Sequence, residues 1–248
     1  MNRSRIGLGV IAVATAGILA LAGCSQGAGD AGGSGGGDTS AIITTNGSEP
    51  QSALIPTMVN EVGGGKILDA MFAGLVYYDA KGAPHNDIAT SIESNDAINY
   101  TIKIRDDAKF TDGTTVKAKN FVDAWNYGAA LDNAQLNSYF FEDIEGFSYD
   151  ENVPELSGLK VVDDTTFTVT LNKAASDFPL RLGYSAYFPL PDSAWDDLEA
   201  YGQAPIGNGP YKIGEGDAWK HNEEIALVKN DDYNGPREVK NGGLTIKF

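Results

Sequence analysis

The 248-residue chain has one cysteine, two histidines, and 18 Lys and Arg against 34 Asp and Glu, for a net charge of −16. One cysteine excludes an intrachain disulfide framework and any multi-cysteine zinc or iron–sulfur site. His85 and His221 alone do not make a histidine-rich metal centre. The shortage of clustered basic residues argues against nucleic acid, whose phosphates must exchange counterions for Lys and Arg. Hydrophobic residues at 42% exclude a disordered chain and suit a globular one.

The one long uncharged run is amino-terminal. Arg3 and Arg5 precede it, and Ile6 to Ala22 carries no charge. It is close to membrane-spanning length, but it ends in Leu21-Ala22-Gly23-Cys24. That tetrapeptide resembles the lipobox of bacterial lipoproteins. The resemblance implies a signal peptide over 1–23, diacylglycerol on the Cys24 thiol, and cleavage between Gly23 and Cys24. Two acyl chains suffice for stable anchoring where one would be marginal. Residues 24–40 include Gly27, Gly29, Gly32, Gly33, Gly35, Gly36 and Gly37 and cannot bury a core, so they read as a flexible tether. Loss of 1–23 removes two arginines and no acid, so anionic head groups would repel the remaining body.

From Ala41 onward the pattern is mixed α/β. Ala41–Thr45 is β-branched and reads as a buried strand. Gly63-Gly64-Gly65 is expected to break the chain before a helix over 66–73 with Ile67, Leu68, Met71 and Phe72 on one face. Tyr100, Ile102 and Ile104 alternate with Thr101, Lys103 and Arg105, the mark of a half-buried strand. Ala118, Phe121, Val122, Trp125 and Ala129 fall at helical spacing, and this helix is expected to pack Trp125, Phe121 and Val122 on the Tyr100–Ile104 strand. Lys160–Val162 and Phe167–Leu171 flank the turn Asp163-Asp164-Thr165 as a hairpin. Tyr211–Ile213 and Ile225–Lys229 read as an antiparallel pair, and Gly242–Phe248 as a further strand.

Catalytic chemistry is hard to find. Gly183-Tyr184-Ser185-Ala186-Tyr187 lacks the second glycine of a nucleophile elbow, and Gly207-Asn208-Gly209 leads into Pro210 rather than a helix. The adjacent acid pairs, such as Asp106-Asp107 and Asp231-Asp232, read as solvated turns. Asn230, Asp232, Asn234 and Gly235 match the start of a calcium loop, but Asn241 stands where a bidentate Glu is required. An ordinary Asn/Asp/Gly turn is the simpler reading. No cofactor and no metal are expected.

Several segments, taken in order, resemble the extracellular solute-binding proteins of oligopeptide and dipeptide ABC transporters (family 5). They are Asn46-Gly47-Ser48-Glu49-Pro50, Phe72-Ala73-Gly74-Leu75 through Asp79, and Tyr100–Arg105 with Ala108-Lys109-Phe110-Thr111-Asp112-Gly113. Phe121-Val122-Asp123-Ala124-Trp125, Gly207-Asn208-Gly209-Pro210-Tyr211 and Asn230-Asp231-Asp232-Tyr233 continue the set. Lys117, Asn120 and Thr115 depart from the family's usual Thr or Ser, Asp and Pro, which should weaken a helix cap.

The resemblance implies a type II periplasmic-binding-protein lobe, α/β (mixed α+β) with a mixed sheet, over 41–248. It implies that the second lobe is absent, since the family's chains continue well beyond this length. The function it implies is not enzymatic. A lipid-anchored extracytoplasmic receptor captures oligopeptides or dipeptides and passes them to permease and ATPase subunits. It implies ligand contacts at Asn60, by its side chain, and at Glu61, Val62 and Gly63, by backbone, with Tyr139 lining the cleft. Peptides would be held by main-chain hydrogen bonds between closing lobes. One lobe alone is expected to bind them only in the millimolar range, about −4 kcal/mol. The alternatives are the same fold with another cargo (a metal chelate, a sugar or a signalling peptide) and a cell-surface hydrolase.

Overall fold

The computed structural model describes residues 39–248. Cys24, the signal segment 1–23 and all but the last two residues of the tether lie outside the described residues.

In chain order the elements are β1 (Ile42–Asn46), α1 (Val62–Met71), β2 (Val76–Tyr78), β3 (Pro84–Asn86), β4 (Ala89–Glu93) and β5 (Asn99–Ile104). There follow α2 (Ala118–Ala129), β6 (Leu159–Asp163), β7 (Thr166–Thr170), α3 (Phe178–Arg181) and α4 (Leu198–Gln203). The last four are β8 (Tyr211–Ile213), β9 (Trp219–Lys220), β10 (Glu224–Lys229) and β11 (Gly243–Lys247). One mixed sheet runs β1-β11-β10-β8, with β9 paired to β10; another runs β4-β5-β7-β6; β2 and β3 form a hairpin.

β1 corrects the expectation of a buried strand. All five of its residues are exposed, because it lies at the sheet edge and pairs only with β11, in parallel. Its β-branched residues favour extended backbone with or without burial. β11 is an interior strand, paired with β1 on one side and antiparallel to β10 on the other.

The three glycines also behave otherwise than expected. Gly63, Gly64 and Gly65 do not break the chain but form the first turn of α1. Glu61 is the N-cap, its carboxylate accepting from the Gly63 and Gly64 amides at 2.6 and 2.8 Å. These donors have no partner inside the helix, and a carboxylate also meets the positive end of the dipole. A Cβ on Gly63 would lie 2.5 Å from the Ser48 carbonyl oxygen, so close approach of backbone requires glycine there.

The helix α2 follows its periodicity. Ala118, Phe121 and Trp125 are fully buried, Val122 and Ala129 nearly so. The strand beneath its large rings is one place over from the expected one. Phe121 and Trp125 meet Phe167 of β7, with ring centroids 5.9 and 5.5 Å apart, and Phe167 pairs with Ile102 of β5. The cap at Lys117 is better supported than its sequence suggests. Asn120 Oδ1 accepts from the Lys117 amide at 2.8 Å, and the Asp164 carbonyl accepts from the Ala118 amide at 2.8 Å. A lysine side chain has no acceptor, so only the Asn120 half of a capping box forms.

Candidate functional site

A cavity of about 490 Å³ opens beside α1. Its first wall is the loop entering the helix, with Asn60, Glu61 and Val62, and Val62 is 74% exposed. The outward face of α1 adds Lys66 and Asp69. The opposite side is aromatic: Tyr77 and Tyr78 from β2, and Tyr184 and Phe188 from the chain that follows α3.

Tyr78, Phe188 and Tyr184 are fixed from behind. The Tyr78 hydroxyl donates to the Leu180 carbonyl at 2.5 Å, and a Cβ on Gly183 would lie 2.8 Å from the Tyr78 ring. Phe188 stacks on Phe72 at 5.9 Å and 13°, made possible by Gly74, whose Cβ would strike the Phe188 ring. Tyr184 stacks on Phe140 at 4.4 Å and 15°. Burial raises the Tyr78 and Tyr184 hydroxyls above their ordinary pKa, and the Asp69 charge adds to the rise in both.

The floor is built at the carboxyl end of α1. Asn208 is buried and pairs with Ala73 like a strand, its Oδ1 accepting from the amide and its Nδ2 donating to the carbonyl, both at 2.9 Å. Gly207 and Gly209 flank it because a Cβ on either would fall 2.1 to 2.6 Å from the backbone of Met71 or Phe72. Arg237 donates to the Asp69 and Phe72 carbonyls, which the helix end leaves without partners, and to Asp87 Oδ2 at 2.8 Å. The Asp87 side chain is wholly buried. Tyr233 donates its hydroxyl to the same carboxylate at 3.0 Å. Burial nonetheless holds the Asp87 carboxyl above the usual range, against the pull of Arg237, Tyr233 and Arg105.

Of the residues expected to meet a ligand, Asn60, Glu61 and Val62 line the cavity. Gly63 lies beneath the surface, and its amide is committed to the Glu61 cap. Tyr139 does not line the cavity; it is 49% exposed and meets Phe140 in a tilted contact at 4.6 Å, which places it one ring behind Tyr184. Asp69, Tyr184, Phe188 and Arg237 had no periodic signal and were not anticipated. The Asn230 loop uses its polar atoms internally. Asn230 Nδ2 donates to the Gly209 carbonyl at 2.8 Å and its Oδ1 accepts from the Asp232 amide at 3.2 Å, so its amide is occupied as an ordinary turn requires. Among the described residues no group of His, Cys, Asp and Glu could hold a metal ion.

One mixed sheet beside an antiparallel one, an aromatic cleft beside a helix amino terminus and this element order define a lobe of a type II periplasmic binding protein. Residues 83–248 match the family described as bacterial extracellular solute-binding proteins, family 5 Middle, and the chain belongs to that family. It is a family of solute-binding proteins and not of enzymes. The oligopeptide-binding protein OppA of Bacillus subtilis is 30% identical over 233 residues, 90% of this chain and 42% of that protein. The dipeptide-binding protein of Lactococcus lactis is 28% identical over 67% of this chain and 32% of its own length. Among solved structures, peptide-bound OppA of Listeria monocytogenes superposes with a TM-score of 0.75 at 27% identity, covering 85% of this chain and 42% of that one. The unliganded open form of the murein tripeptide-binding protein MppA has the same fold, with a TM-score of 0.76 at 24% identity, covering 85% and 41%. The chain thus spans about two fifths of the length of the relatives it matches. Among the described residues no helix is long and apolar enough to cross a membrane.

Proposed function

We propose that this chain is part of a lipid-anchored extracytoplasmic receptor that captures peptides and presents them to the permease and ATPase subunits of an ABC transporter. The observation that carries the reading is the cavity beside α1. Asn60, Glu61 and Val62, the loop that family resemblance assigns to ligand, line it together with aromatic walls. Its volume is that of a small-molecule or short-peptide site, which needs apolar walls and a few oriented polar groups. Oligopeptide- and dipeptide-binding relatives support peptides as the cargo. A degenerate pool of tri- to pentapeptides titrated into the full chain should give saturable binding, with dissociation constants of the order of millimolar. Chemical shifts of the cavity residues that do not move at any peptide concentration would overturn the reading.

Cys24 is the proposed lipid attachment point, residues 1–23 the signal peptide, and 24–40 the spacer between membrane and domain. The supporting feature is Leu21-Ala22-Gly23-Cys24 at the end of the uncharged run. Cys24→Ser should release the protein into the medium or leave the signal uncut. A variant found in the membrane fraction at mature size would refute the anchor.

A further inference from the structure

Four charged side chains line the cavity, and three are already engaged. Glu61 caps α1. Lys66 donates to the Asn46 carbonyl at 3.1 Å. Arg237 spends its guanidinium on Asp87 and on the carbonyls of Asp69 and Phe72. The fourth is Asp69. Its carboxylate forms no hydrogen bond and no ion pair with any described residue, although Lys66 lies one turn away on the same helix face.

Asp69 is exposed to the cavity, but it is not simply a solvated helix residue. Protein crowds the carboxylate enough that desolvation raises its pKa, with Arg237 opposing. A partly desolvated carboxylate without a hydrogen-bond partner from the protein gains most from an incoming donor. The same cavity is lined by the rings of Tyr78, Tyr184 and Phe188, whose faces attract a cation, and the Asp69 charge is felt at the Tyr78 and Tyr184 hydroxyls. The Tyr184 hydroxyl has no partner among the described residues, and that side chain is 38% exposed. The chain's net charge of −16 enriches cations near its surface before any contact is made.

We propose that Asp69 is a cation subsite of this cavity, receiving an ammonium or guanidinium group of the ligand between its carboxylate and the aromatic wall. This rests on the peptide-binding reading and sets a preference within it. The group is a lysine or arginine side chain of the peptide, and Asp69 is a specificity-determining residue.

The test uses the full chain in detergent, wild type and Asp69→Asn, titrated with three peptides and followed by chemical shift. Acetyl-Ala-Lys-Ala-amide carries only a side-chain cation, and acetyl-Ala-norleucine-Ala-amide carries none. Ala-norleucine-Ala-amide with a free amino group carries only a terminal cation. The lysine peptide should bind about 10-fold more tightly than the capped norleucine peptide, as a charge-assisted hydrogen bond allows, and Asp69→Asn should erase the difference. If the advantage belongs to the free amino group and is lost in Asp69→Asn, the cation subsite stands with the peptide terminus as its occupant, and the side-chain assignment is overturned. Equal binding of all three, or a preference that survives Asp69→Asn, overturns the subsite and leaves peptide binding intact. If no peptide binds, the peptide reading fails. A parallel titration with n-butylammonium then decides the subsite alone: saturation lost in Asp69→Asn supports it, and no saturation overturns it.

Discussion

Trp125→Ala should destabilise the domain by about 3–5 kcal/mol, the usual loss on truncating a buried aromatic. Trp125 is fully buried in α2 and meets three rings, Phe167, Tyr187 and Phe141, at centroid distances of 5.5, 5.2 and 6.3 Å. Its indole Nε1 donates to the Tyr187 carbonyl at 2.9 Å. Alanine would leave a cavity between helix and sheet and a buried carbonyl without its donor, two separate losses. Trp125→Phe separates them, since it restores most of the volume and should cost only about 1–3 kcal/mol. The effect should also reach the cleft. Tyr187 donates its hydroxyl to the Phe140 carbonyl at 2.6 Å, and Phe140 supports Tyr184 in the cavity wall. Urea denaturation followed by circular dichroism reads the stability change. An unchanged midpoint in Trp125→Ala would mean that this aromatic cluster does not hold the helix to the sheet.

The sequence disclosed those parts of the fold whose burial is periodic. Tyr100, Ile102 and Ile104 are buried in β5, as their alternation requires, and the α2 stripe is buried from Ala118 to Ala129. β4 was missed for the opposite reason. Ala89-Thr90-Ser91-Ile92-Glu93 has few apolar residues, and the register shift between Ala89 and Ser91 breaks the alternation. The α1 start was misread because three successive glycines look like a break when their tertiary contact with Ser48 and Val59 is unseen. Exposure of β1 depended on its position at the sheet edge, which a local β-branched run does not encode.

The candidate site was legible only on one wall. Family resemblance drew attention to Asn60, Glu61 and Val62, and that loop does border the cavity. Part of the opposite wall, Tyr184, Phe188 and Arg237, comes from positions more than a hundred residues away. Tyr184 and Arg237 meet α1 only through the fold, and no spacing in the chain relates them to Asp69. Gly207-Asn208-Gly209 showed in sequence only that no helix follows it, whereas its role is to carry Asn208 onto Ala73 and so fix the end of α1. A side chain that mimics a strand partner leaves no pattern in sequence.

Arg237→Ala should cost about 3–5 kcal/mol at neutral pH, the penalty for stranding one member of a buried ion pair. Its partner Asp87 is wholly buried, and Tyr233 alone would remain to donate to it. The carbonyls of Asp69 and Phe72 would lose their cap as well. The loss should depend on pH, with a definite sign. Burial already holds the Asp87 carboxyl above its ordinary value of 3.8, so the folded state binds a proton more readily than the unfolded chain. Between those two values this group's contribution to stability therefore falls as pH rises. Arg237 pulls the folded value down, and without it the window extends to higher pH. The gap between wild type and Arg237→Ala should thus be smallest well below 3.8, where the carboxyl is protonated and only the lost carbonyl cap remains, and widen toward neutrality. Adding Asp87→Asn to the variant should recover part of the loss, because a neutral amide needs no counter-ion. Denaturation curves of the three proteins across the pH range read both effects. A difference that does not vary with pH, or a double variant no more stable than Arg237→Ala, would show that the buried carboxylate is not what Arg237 serves.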